Sequence, residues 1–156
     1  MTVDLVLYQP DIAQNTGTLL RLGACLGVPV HVIHPTGFPF SRRELKRGGL
    51  DYLDYADIVE HDSYAHFDAW RRAASRRVVL LTTKAQGSAY DCVYRDGDLL
   101  MLGRESAGVP EAVAADAGAL VRIPMRPGLR SINVAVAAAM IVGEALRQTN
   151  GFDALK

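Results

Sequence analysis

Four side chains able to hydrogen-bond a ligand, Glu105, Ser106, Ser131 and Asn133, fall in two segments whose glycines let main chain approach a small molecule closely. The first is Gly103-Arg-Glu-Ser-Ala-Gly108, and the second runs Met125-Arg-Pro-Gly-Leu-Arg-Ser-Ile-Asn133. Gly103 and Gly108 are spaced as in a phosphate loop, but Val109-Pro110 stands where a lysine and a hydroxyl residue would have to reach phosphate and magnesium. No Gly-x-Gly-x-x-Gly turn follows the first apolar run, which continues Pro10-Asp-Ile-Ala-Gln-Asn-Thr-Gly17, so the usual dinucleotide site is not expected. Ser106 has neither a Gly-x-Ser-x-Gly elbow nor an obvious histidine partner, which argues against a hydrolase. Taken singly, Gly103 and Gly108 would more often make a turn before a helix starting at Pro110.

The elements that must carry these segments follow from periodicity. Apolar runs at 3–8, 30–33, 58–61, 78–81, 99–102 and 120–123 read as short buried strands. Asn15 predicts the cap of a helix whose Leu19, Leu20, Ala24 and Leu26 recur at helical spacing, and Gly27 ends it. Pro35, Gly37 and Pro39 mark a loop, Ser41 predicts the cap of a short basic helix stopped by Gly48-Gly49, and another helix is expected over about 64–74. Strands alternating with helices predict a single α/β domain with a largely parallel sheet. Ligands in such sheets bind beyond the carboxyl ends of the strands, where the segments starting at Thr82, Gly103 and Met125 fall. From Val134 to Gly143 no residue is charged or strongly polar, whereas a surface helix carries a polar face. The run is far short of the roughly 20 apolar residues that cross a bilayer. This helix is therefore expected to be covered on more than one side, by its own core or, preferably, by a second subunit.

The 156 residues suit one domain and leave no length for a separate RNA-recognition domain. An apolar fraction of 49% and a charged fraction of 22% exclude a disordered or low-complexity chain. Cys25 and Cys92 form no Cys-x-x-Cys pair, and His31, His34, His61 and His66 lack zinc spacing, so neither a disulfide framework nor a metal is expected. No secretion signal opens the sequence, which predicts a cytoplasmic protein. A net charge of zero argues weakly against a polyanionic partner, but the basic residues cluster at Arg42, Arg43, Lys46 and Arg47, at Arg71, Arg72, Arg76 and Arg77, and at Arg122, Arg126 and Arg130. Each cluster reads first as a solvated face, although a dimer could line several of them along one groove.

Three segments together carry more than any one alone. Asn15-Thr-Gly-Thr-Leu-Leu-Arg21, Leu102-Gly-Arg-Glu-Ser-Ala-Gly-Val-Pro110 and Ile123-Pro-Met-Arg-Pro-Gly-Leu-Arg-Ser-Ile-Asn-Val-Ala-Val136 resemble, in order and spacing, the three motifs of the SpoU branch of the SPOUT RNA methyltransferases. The opening Val-Leu-Tyr-Gln-Pro-Asp-Ile-Ala-Gln-Asn-Thr-Gly17, the segment Gly49-Leu-Asp-Tyr and Leu81-Thr-Thr-Lys are similar to the minimal members that methylate the ribose of the tRNA wobble nucleotide. Some of those members carry Pro-Glu-Thr where this chain has Arg104-Glu-Ser106, and asparagine where it has Val136.

The resemblance implies an α/β domain over the whole chain with a C-terminal trefoil knot, a connection that ordinary folds avoid. It implies a homodimer, S-adenosylmethionine as cofactor, tRNA as partner, and neither metal nor membrane. By the same resemblance Leu81, Thr82, Gly103, Ile123, Met125 and Ser131 would hold the cofactor, and Arg21, Asn15, Glu105, Ser131 and Asn133 would serve catalysis. Arg21 would be central, with Asn15 and Glu105 orienting it or the ribose. The transfer is an in-line displacement on the methyl sulfonium, helped by alignment. An arginine is effectively never deprotonated, so Arg21 suits a phosphate clamp that also stabilises the oxyanion better than it suits a simple general base. Without the motif it reads as an exposed helix arginine. Asn133 suits both the site and a helix cap. The same transfer at another tRNA or rRNA position, and a non-catalytic RNA-binding dimer, remain open; the retained polar residues speak against the latter.

Overall fold

Strand β1, Asp4–Tyr8, is buried along its whole length, as a strand covered on both faces must be. In the computed structural model, which describes residues 2–47, 51–129 and 132–156, it lies inside a six-stranded sheet. The other strands are β2 (Val30–Ile33), β3 (Ile58–His61), β4 (Val78–Leu81), β5 (Leu99–Leu102) and β6 (Ala119–Val121), in the order β3-β2-β1-β5-β4-β6 with every pairing parallel. All six expected strands form. The last ends at Val121, so Ile123 lies just beyond it.

Alternation along β1 sorts the core into two layers. Leu5 and Leu7 pack with Leu19 and Leu20 of α1 (Ala13–Leu26) and with Ala138, Ile141 and Val142 of α5 (Val134–Gln148). Val6 and Tyr8 pack on the other face with Phe67 of α3 (Tyr64–Ala73) and Val113 of α4 (Glu111–Asp116). The short α2, Arg42–Arg47, has the expected Ser41 cap, since Ser41 Oγ accepts the Glu44 N–H at 3.1 Å. The expected stop at Gly48-Gly49 lies outside the described residues. Gly27 ends α1 in the left-handed region at φ +65°, its N–H bonded to Gly23 O.

One expectation changes. Helix α1 starts at Ala13 after Ile12, so Asn15 sits inside the first turn and is not its cap. Its side chain is engaged in a tertiary hydrogen bond instead, accepting from Asn133 Nδ2 at 3.1 Å. The apolar α5 is covered by its own chain on one side only. Val136 is 54% exposed and Met140 38%, with Ile132 just ahead of the helix 36% exposed.

Charge buried toward the amino ends of the strands is largely paired, with Arg76 Nη2 lacking a hydrogen-bond partner among the described residues. Asp4 Oδ2 accepts from His31 Nε2 at 2.9 Å and from Arg76 Nη1 at 2.8 Å, and His31 Nδ1 meets His61 Nε2 at 2.8 Å. Arg77 is bidentate to Asp98, and Arg71 and Arg72 share Asp68. The basic run 71–77 is therefore largely neutralised by structural carboxylates, which the reading as a solvated face did not anticipate. Burial alone would raise the Asp4 carboxyl, but hydrogen bonds from His31 and Arg76, with the charge of Arg76, hold it below its usual value. Burial, then the nearby His31 and His66, pushes His61 down to about 4.

An unfolded histidine titrates near 6.5, so between about pH 6.5 and 4 the unfolded chain binds a proton at His61 that the folded chain refuses. Its contribution is present above that window and is lost as pH falls through it. We expect Tm to decline across the window and His61→Gln to flatten the decline in thermal unfolding followed by circular dichroism. An unchanged slope in the variant would show that another group is responsible.

Candidate functional site

A cavity of about 430 Å3 opens at the carboxyl ends of β4 and β5 and just past β6. Leu81 and Thr82 line it after β4, Gly103 and Glu105 after β5, and Ile123 and Met125 after β6. Ile12 and Asn15 at the start of α1, and Asn133 and Ala137 at the start of α5, form the facing wall. The volume and the mixture of apolar side chains with free loop backbone are those of a small-molecule site.

The segment 103–108 folds back on itself through paired main-chain bonds between Arg104 and Gly108, at 3.0 and 2.8 Å. A Cβ on Gly103 would stand 2.8 Å from the Gly108 main chain, so only glycine allows this return. The turn is real, and it also lines the cavity. Arg104 extends over the Tyr8 ring, 5.5 Å from its centroid, and bonds Gly108 O through Nε at 3.1 Å.

Glu105 is anchored to the segment between β1 and α1. Its Oε2 accepts the Asp11 N–H at 3.1 Å, and Ser106 donates to Asp11 Oδ2. Burial and the adjoining Asp11 carboxyl raise the Glu105 carboxyl above its usual range. Its described hydrogen-bond partner is Asp11 rather than Arg21.

Asn133 fills both positions that its place before an apolar helix suggested. Oδ1 accepts from Ala135 N at 2.8 Å and Val136 N at 3.3 Å, capping α5, while Nδ2 reaches Asn15. The amide thereby joins the first motif to the third at the cavity rim.

Arg21 stands apart. It lies further along α1, exposed and outside the cavity lining, with its guanidinium carbon 4.4 Å from the Tyr52 ring centroid and Nη2 3.4 Å from the Tyr52 hydroxyl. Ser131, expected in both the cofactor and the catalytic sets, lies outside the described residues, as does Arg130. The structure therefore brings together Leu81, Thr82, Gly103, Ile123, Met125, Asn15, Glu105 and Asn133, and leaves Arg21 aside. Sequence reasoning missed Asp11, Arg104 and, except as one member of a basic cluster, Arg122, and it missed Tyr52. The first three meet the cavity or its lining only once distant strands align, and Tyr52 was visible only as part of a matching segment. Among the described residues no group of His, Cys, Asp and Glu could hold a metal ion. Cys25 and Cys92 are free thiols.

The two hands of Asn133 separate by substitution. Asn133→Ala should cost about 1 kcal/mol of stability through the lost cap, while Asn133→Asp keeps the cap acceptor and gives up only the Asn15 contact. Urea midpoints should rank wild type and Asp together above Ala; an aspartate variant as unstable as alanine would show that the Asn15 bond dominates.

Comparison with known proteins gives the same picture at larger scale. The chain is 58% identical over 144 residues to a tRNA (cytidine(34)-2'-O)-methyltransferase of Beijerinckia indica, covering 92% of this chain and 90% of that one. A solved structure described as giving structural insights into the 2-OH methylation of C/U34 on tRNA superposes with a TM-score of 0.87 at 43% identity, covering 96% of this chain and 97% of that one. The AdoMet-bound rRNA methyltransferase of Sinorhizobium meliloti superposes with a TM-score of 0.83 at 28% identity, over 94% of this chain and 56% of its own length. Residues 2–143, which include all three motif segments and every described residue of the cavity lining, match the SpoU rRNA Methylase family, and the chain belongs to that family.

Proposed function

We propose that the chain methylates the ribose 2'-hydroxyl of tRNA nucleotide 34, a cytidine or modified uridine, using S-adenosylmethionine, and that it works as a cytoplasmic homodimer. The observation that supports this most is the convergence of Leu81, Thr82, Gly103, Ile123 and Met125, three loops distant in sequence, on one cavity beside Asn15, Glu105 and Asn133. The cavity fits the cofactor: apolar walls suit an adenine ring, loop backbone at a glycine-bent turn supplies hydrogen bonds, and the volume of about 430 Å3 holds a nucleoside with an amino-acid tail. We take Ser131 and the whole third motif as part of the same site, and the loops after β5 and β6 as the trefoil knot of a single methyltransferase domain over residues 1–156.

When bound, the cofactor supplies a methyl group on a sulfonium and leaves as S-adenosylhomocysteine. Gly103, Ile123 and Met125 hold it still and exclude water from one side. Asn15 and Asn133, locked to each other, fix the rim where the ribose enters. Glu105, kept basic by burial and by Asp11, faces that rim and suits the ribose hydroxyl proton or its hydrogen bond. Arg21 clamps the neighbouring phosphate and stabilises charge that develops on the oxygen.

Because Arg21 lines no wall of its own chain's cavity, it must come to the RNA from elsewhere, and a second copy provides the route. The exposed apolar stripe of Ile132, Val136 and Met140 beside the cavity is the surface such a copy would cover. The exposed Arg42 and Arg43 then extend the basic surface, and no described helix is long and apolar enough to cross a membrane.

Incubation with labelled S-adenosylmethionine and total tRNA from cells lacking the enzyme should place the label on the 2'-oxygen of nucleotide 34, mapped by nuclease digestion and mass spectrometry. Label on rRNA or at another tRNA position would redirect the target; no transfer with cofactor binding intact would refute the tRNA assignment. Arg21→Ala should lower turnover roughly 10²-fold or more with cofactor affinity little changed. Sedimentation should give twice the chain mass, whereas Val136→Glu with Met140→Glu should give monomers without activity.

A further inference from the structure

Tyr52 is held from beneath. Leu53, next in the chain, is 2% exposed and belongs to the core cluster that contains Leu20 and Leu45. The single 3-10 turn Leu53–Tyr55 closes with Tyr55 N–H to Tyr52 O at 3.0 Å and Ala56 N–H to Leu53 O at 3.2 Å. Lys46 and Asp54, 3.3 Å apart, tie the turn to α2. The Tyr52 ring is thus presented to α1 from an anchored turn, and it is still 39% exposed.

Its contact with Arg21 has a specific electrical character. The guanidinium carbon lies 4.4 Å from the ring centroid, well inside the reach of a cation–π attraction, and the 3.4 Å bond to the hydroxyl is long enough to be secondary. Among the described residues both polar contacts of Arg21 are with this one tyrosine. A carboxylate in the same place would hold the arginine more strongly but would cancel its charge. A neutral ring restrains the long side chain and leaves the positive charge free for phosphate or for a developing oxyanion. The arginines of the 71–77 run show the contrast, since they are held by carboxylates and serve the fold.

We propose that Tyr52 is a positioning residue for methyl transfer, its ring holding Arg21 extended and uncancelled before the RNA arrives. This rests on the role given to Arg21 above. Tyr52 touches neither cofactor nor reacting atoms and acts only through the arginine.

The test is steady-state methylation of tRNA by the full-length protein carrying Y52A, Y52L, Y52F, R21A or R21A with Y52A, with Tm and cofactor affinity measured on each. Y52A and Y52L should both lower kcat about fivefold, the upper end for one exposed cation–π contact, with cofactor affinity unchanged. Y52F should restore most of the rate, because the ring face remains. The double variant should be no slower than R21A alone, since Tyr52 has nothing left to position. Y52L at the wild-type rate, Y52F as slow as Y52A, or a further loss of the same size in the double variant would each overturn the proposal. If R21A itself turns over normally, the role of Arg21 is wrong and the proposal falls with it; if R21A is dead and Y52L is not, only the part given to the ring is wrong.

Discussion

Six strands running the same way put all their carboxyl ends on one edge of the sheet, and the loops that line the cavity leave from that edge. Parallel strands need helices on both faces, so β1 and β5 are buried throughout and have no room for chemistry of their own. Polar function is pushed to the loops. The one carboxylate inside β1, Asp4, lies at the opposite end and is consumed by His31 and Arg76. The sheet thereby separates a structural charge network at its amino edge from the polar groups that line the cavity at its carboxyl edge.

Helix α5 connects the cavity to the remainder of the molecule. Its first residues line the site, its cap Asn133 reaches Asn15, and its body packs on the same core layer as α1. Alanine at 135, 137, 138 and 145 lets it lie close to its neighbours while larger residues fill the layer beneath. The apolar face left open by Ile132, Val136 and Met140 adjoins the cavity, so anything covering that face also borders the site.

Arginine serves two purposes here, and the partner decides which. Arg76 and Arg77 are matched with Asp4 and Asp98 and have become part of the scaffold. Arg21 rests on a neutral ring, with no carboxylate paired to it among the described residues. Residue type and clustering could not separate these cases, because the carboxylates that neutralise the 71–77 run lie as far as 72 residues away in sequence. The same blindness hid Asp11, whose partner Glu105 is 94 residues distant.

Strand positions, the α/β class, the end of α1 at Gly27, the Ser41 and Asn133 caps and the glycine-bent loops were all legible from local pattern, since each depends on neighbours a few residues away. The resemblance further named site residues, and those within the described chain converge on the cavity except Arg21. Asn15 was misread as a cap because a short polar side chain before an apolar run satisfies a local rule, while its actual partner is 118 residues off. By itself the sequence determined which elements form, roughly where they lie and which loops carry polar groups, because backbone propensity and hydrophobic period act over one or two turns. Only the tertiary structure decided which polar groups meet, which charges are cancelled and that Arg21 stands outside its own cavity, because those depend on strand order, and strand order brings together residues that no local pattern relates.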